Sequence, residues 1–119
     1  MATINPREIA VRTIQLEADS LQQLVQQLND EFNTIVDVIM NAKGRLIVSG
    51  IGKSAIIAQK IVATLNSTGT PSMYLHAAEA IHGDLGMILN FDVVMIISKS
   101  GESPEIKVLS QLIKNFGNP

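Results

Sequence analysis

The 119 residues contain no cysteine, 46% are hydrophobic and 17% charged, and nine Lys or Arg stand against eleven Asp or Glu. A chain of this size and apolar content makes at most one globular domain and buries roughly two-thirds of the surface its unfolded form exposes, which excludes disorder and any need for metal or disulfide staples. The missing cysteine excludes thiol catalysis and thiolate metal sites, while a net charge of −2 and a 3% aromatic share exclude a generic nucleic-acid binder with base-stacking platforms.

The opening MATINPRE has no basic region followed by an apolar core, so no secretory signal is expected. The longest unbroken apolar run, Val93 to Ile97, is far short of the roughly 18 residues of a membrane span. A cytoplasmic protein without membrane or nucleic-acid partners is the expectation. Charge divides along the chain: residues 1–42 carry two bases and six acids, residues 43–119 seven bases and five acids. An anionic ligand is therefore less repelled by the second part, although screening over about 8 Å makes any anion site a local matter.

Residues 1–42 read as a helical segment. Asn5 supplies a cap, Pro6 a first helical position and Glu8 a first-turn acid, after which Ile9, Ile14, Ala18, Leu21, Val25 and Leu28 form one apolar stripe. Asn29 and Asp30 interrupt it. Phe32, Ile35, Val36, Ile39 and Met40 then begin a second helical face that ends near Lys43 and Gly44. An amphipathic stripe ordinarily packs on a core, so this pair is expected to be structural or oligomer-forming.

From Arg45 the periodicity alternates. LIVSG reads as a strand, Lys53 to about Asn66 as a helix, SMYLH as a strand, AAEAIHG as a short helix, DVVMIIS as a strand, and Pro104 to about Phe116 as a helix. That alternation predicts α/β architecture with a parallel sheet. Asp92 to Ser98 is nearly all apolar, as expected of a strand covered on both faces. Gly117 and Pro119 read as a helix stop leading toward a further strand, so residues 43–119 are expected to be the first half of a longer domain.

Two loops carry the chemistry, each where a strand feeds a helix, the edge at which open α/β sheets bind ligands. In Ser49-Gly50-Ile51-Gly52-Lys53-Ser54-Ala55 the glycines permit tight turning and close backbone approach, and the helix that follows offers amide donors to an anion beside the Lys53 charge. A Walker loop would need Gly at position 47, which is Ile47, so this is not an ATPase motif. The spacing Gly50, Gly52, Ala55 satisfies a dinucleotide fingerprint, but the second strand ends in His76 where a ribose-binding acid belongs, and Glu79 is a poor substitute. The second loop, Ser98-Lys99-Ser100-Gly101-Glu102-Ser103-Pro104-Glu105, sets three hydroxyls and a glycine before a helix, as a phosphate grip or an ordinary N-cap would. Between the loops, His76, Glu79, His82 and Asp84 fit no established zinc spacing.

GIGKS, the STGTP turn at Ser67 to Pro71, HGDLGM at His82 to Met87, and SGES at Ser100 to Ser103 with Glu105 behind it occur in one order between about Gly44 and Ile113. Together they resemble the sugar isomerase (SIS) domain of the arabinose-5-phosphate isomerases. The resemblance implies a flavodoxin-like parallel sheet of strand order 2-1-3-4-5, of which this chain holds the first three strands. It implies interconversion of D-ribulose 5-phosphate and D-arabinose 5-phosphate, feeding the eight-carbon acid sugar (Kdo) of lipopolysaccharide or capsule, with no cofactor and in a homotetramer. It makes Ser98, Ser100 and Ser103, with Gly52 and Ser54, the phosphate-binding set. Lys53 and Glu105 become active-site residues, and His82 lies in or beside the pocket, where relatives are zinc-sensitive. Two departures stand out: Lys99 replaces the usual Asn, and Ala77-Ala78 a frequent Pro-Gly. The family's other catalytic Glu and His fall beyond residue 119, which implies that this chain is inactive alone. A non-catalytic phosphosugar-sensing module is the alternative, and a nucleotide-binding domain the third reading.

Overall fold

The computed structural model describes residues 4–119; Met1–Thr3, the first part of the stretch read for a secretory signal, lie outside them. The chain forms two compact units that divide between Val36 and Asp37.

In the first unit, helix α1 (Pro6–Val25) starts where Asn5 Oδ1 accepts the Arg7 amide at 3.1 Å, satisfying an otherwise orphaned donor. The Asn29 side chain does the same for Glu31 at 3.0 Å at the start of α2 (Asp30–Met40). The apolar stripe has the expected period, and its residues Ile9, Ile14, Leu21, Val25 and Leu28 are exposed. Periodicity states which face seeks burial and leaves the burying surface unspecified.

The second unit is a parallel sheet of order β2-β1-β3, built from β1 (Leu46–Gly50), β2 (Ser72–His76) and β3 (Val93–Ile96). Leu46 and Val48 face one core cluster with Ala58 of α3 (Lys53–Ser67), while Ile47 faces the other, with Leu75, Ala77 and Ala80 of α4 (Ala77–Ala80) and Ile106, Leu109 and Ile113 of α5 (Pro104–Phe116). Helices on both faces leave every residue of β1 buried, which is why LIVSG carries no polar alternation. β3 is less covered than its composition suggests. Only Val93 is fully buried there, because β3 has a strand neighbour on one side alone; on its outer edge the Val94 amide donates to the Pro119 carbonyl at 2.9 Å.

The amino edge of the sheet is fastened by charge. Asp92, 1% exposed, accepts from the Arg45 guanidinium at 2.7 Å, the Arg45 amide at 2.8 Å and the Leu89 amide at 2.8 Å. Arg45 also donates to the Met87 carbonyl at 2.8 Å. Nearby, Asn66 accepts from the Ser72 amide and donates to its carbonyl, extending the β2 edge with a side chain. The STGTP turn belongs to this edge, joining α3 to β2, so its part in the motif set is to turn the chain. Among the described residues, no helix is long and apolar enough to cross a membrane.

Candidate functional site

At the opposite edge, β1 and β3 are neighbours in one parallel sheet, so the loops leaving their carboxyl ends open side by side. The first of these is built on two glycines with different tasks. A Cβ on Gly50 would lie 2.9 Å from the Ser54 carbonyl carbon, so the bare backbone is what lets the first turn of α3 rest against the strand. Gly52 has φ +60 and open space around it, so its glycine is required by conformation.

Past Gly52 the chain enters α3 with Lys53 as its first residue and Ser54 as its second. Gly52, as the cap residue, provides no side-chain acceptor; its carbonyl takes the Ala55 amide at 3.1 Å, and the Lys53 and Ser54 amides stand ahead of that bond at the positive end of the helix. Lys53 is exposed and Ser54 half-buried, which suits an approaching solvated anion.

The serine loop is folded on itself. Ser98 Oγ accepts the Gly101 amide at 2.9 Å and Ser100 Oγ the Glu102 amide at 3.2 Å. An accepting hydroxyl still has its own proton to donate, so these turns orient the donors. Ser103, half-buried, is the cap residue of α5 without making a side-chain cap bond, and Glu105 occupies the first helical turn, half-buried. The same arrangement therefore occurs twice: a helix start with no side-chain acceptor, preceded by a turn at a positive-φ glycine, Gly52 or Gly101. Glu102, whose charge would oppose an anion, forms an ion pair with Lys107; both are exposed, so the pair contributes little to stability.

His82 is exposed on the turn after α4, followed by Gly83 at φ +135 and a short 3-10 turn at Asp84–Met87. This 3-10 turn is absent from the sequence reading, since four residues around a glycine carry no periodicity. No three His, Asp or Glu side chains gather as a metal set among the described residues. His76, which stands where a dinucleotide fold would place a ribose-binding acid, is the cap of α4: its Nδ1 accepts the Ala78 amide at 3.2 Å. The open grooves along α1, bordered by residues such as Arg12 and Leu16, involve none of these loops.

The SIS domain family matches residues 39–119. A probable arabinose 5-phosphate isomerase of Haemophilus influenzae is 50% identical over 115 residues, covering 97% of this chain and 34% of that protein. An arabinose 5-phosphate isomerase of Pseudomonas aeruginosa is 48% identical over 108 residues, covering 91% and 33%. A solved Escherichia coli CFT073 protein in complex with arabinose 5-phosphate superposes with a TM-score of 0.87 at 37% identity, covering 97% of this chain and 63% of that one. The chain thus spans about a third of the length of the curated relatives it matches.

Proposed function

This chain belongs to the SIS domain family, and from that membership we propose that the whole protein is an aldose-ketose isomerase interconverting D-ribulose 5-phosphate and D-arabinose 5-phosphate. The observation that carries the reading is the repeated device at one sheet edge: two adjacent strand-to-helix loops whose helices start without a side-chain cap, one bearing Lys53 and the other three serines. Relatives named for this isomerisation, and a solved relative in complex with the aldose phosphate, support the choice of sugar.

In this reading the ester phosphate is held by Ser98, Ser100 and Ser103, with Gly52 and Ser54 contributing from the first loop. Hydroxyl protons and converging amides meet its oxygens at the positive end of α5. Removal of a proton next to the carbonyl gives an ene-diolate, whose negative charge the Lys53 ammonium stabilises at the start of α3. Glu105 moves or orients a proton between the two carbons, and His82 borders the pocket. Lys53 and Glu105 favour an enzyme over a phosphosugar-sensing module, which would need the serine loop alone.

The expected assay result for the intact protein is equilibration of the two pentose phosphates without an added cofactor. Saturable binding of the sugar phosphate with no turnover would establish the sensing module instead. The 119-residue chain assayed alone is expected to be inactive. The product supplies the eight-carbon acid sugar of lipopolysaccharide or capsule in the cytoplasm. The exposed apolar faces of α1 and α2 support a homotetramer, and sedimentation of the intact protein as a monomer would remove that assignment.

Ser100→Ala removes one hydroxyl donor and the acceptor of the Glu102 amide. We expect about a tenfold loss of affinity for the phosphate ester, the effect of one good hydrogen bond, with little change for the unphosphorylated sugar. Equal losses for both ligands would dismiss the grip assignment.

A further inference from the structure

We propose that His76 is a further substrate-contacting residue of this site, donating its Nε2–H to an oxygen of the sugar. The inference rests on the isomerase reading and deepens it. His76 ends β2 directly in register with Gly50, the first glycine of the Lys53 loop. Because Gly50 carries no side chain, the strand beside the imidazole presents backbone only, and the first turn of α3 comes close there.

The ring is held in two ways. Its Nδ1 accepts the Ala78 amide at 3.2 Å, and its edge meets the Tyr74 ring with centroids 6.5 Å apart and planes at 83°. Tyr74 packs with the Val48 and Ala58 cluster, so the imidazole lies on the same side of the sheet as α3. An imidazole whose Nδ1 accepts a hydrogen bond carries its proton on Nε2. The ring is half-buried, and its side-chain hydrogen bond among the described residues is the one at Nδ1, which leaves the Nε2–H to a ligand or solvent. A donor with a defined tautomer and orientation, left unused by the protein at the ligand-binding edge, is arranged for a ligand oxygen.

The sheet order says which end of the ligand it meets. With β2-β1-β3, the serine loop follows β3, the Lys53 loop lies in the middle, and His76 stands on the far side. Two strand spacings, about 10 Å, separate the β2 and β3 positions. A pentose phosphate with its C5 ester group on the serine loop reaches across Lys53 toward β2 with C1 and C2, the reacting carbons and the end farthest from the phosphate. His76 therefore reads a hydroxyl or carbonyl oxygen and leaves the phosphate untouched.

The test compares His76→Asn with His76→Gln in the intact protein. Asn keeps an acceptor for the Ala78 amide and ends short of the Nε2 position, whereas Gln places an N–H near that position and loses the cap. The Asn variant is expected to keep the wild-type Tm while its KM for arabinose 5-phosphate rises about tenfold, the loss of one hydrogen bond. Inhibition by inorganic phosphate stays unchanged. The Gln variant is expected to recover most of the KM despite a lower Tm. An Asn variant with wild-type KM, or a Gln variant as impaired as Asn, overturns the assignment. A wild-type protein that neither binds nor converts pentose phosphates overturns the isomerase reading and this inference with it.

Discussion

Asp92→Ala is expected to lower the unfolding free energy of the protein by roughly 3–5 kcal/mol, the usual cost of removing one partner from a buried ion pair. The loss is large because one carboxylate does several jobs. It meets the Arg45 guanidinium and accepts the amides of Arg45 and Leu89, so its removal orphans two backbone donors and leaves a partly buried cation. The Met87 carbonyl still receives Arg45, and the guanidinium keeps some access to water, which together hold the loss within that range. Urea unfolding of wild type and variant would measure it, and a change under 1 kcal/mol, about the value of an exposed pair, would refute the account.

The same carboxylate gives stability a defined pH dependence. Burial pushes the Asp92 carboxyl upward, but hydrogen bonds from the Arg45 side chain and from the Leu89 and Arg45 amides, with the guanidinium charge, more than reverse this and hold it at about 2. Because the folded value lies below the unfolded one, the contribution is complete above about pH 4 and is lost as the pH falls toward 2. It amounts to about 2.5 kcal/mol, at roughly 1.4 kcal/mol per pKa unit. Asp92→Asn should flatten the acid limb of the stability curve, and an unchanged acid midpoint in that variant would place the sensitivity elsewhere.

Lys53→Ala in the intact protein is expected to reduce turnover by about 10²-fold or more, as removal of a preorganised stabiliser of developing charge does. Lys53 is exposed at the first position of α3 and makes no ion pair among the described residues, so the substitution leaves the fold intact. The deficit should therefore fall on kcat with an unchanged Tm. Affinity for inorganic phosphate should change less than turnover, since the serine loop holds the ester. Wild-type kcat in Lys53→Ala would exclude the ammonium from the chemistry, and a loss confined to KM would reassign it to ground-state binding.

Much of this was legible in the chain. The strands LIVSG and SMYLH and the helices opening at Lys53 and Pro104 appear where the residues place them, because a short apolar run or a 3.6-residue period, with the turn residues around it, is a local signal. The loops that carry Gly52, Lys53, Ser98, Ser100, Ser103 and Glu105 could be placed because a loop between a parallel strand and its helix has one destination, the carboxyl edge of the sheet. Other features left little trace. Arg45 and Asp92 look like ordinary flanking charges, and their one clue is that each directly precedes an apolar strand. His76 invited comparison with metal and ribose ligands, whereas its observed task is to cap α4.

The sequence alone determined element type, order and the sheet edge at which the two strand-to-helix loops open, since those follow from nearest-neighbour geometry. The tertiary structure alone decided that Arg45 finds Asp92 across 47 residues and that Gly50 lies beside His76. Those outcomes depend on strand register and on which surfaces come together, and packing between residues distant in the chain sets both.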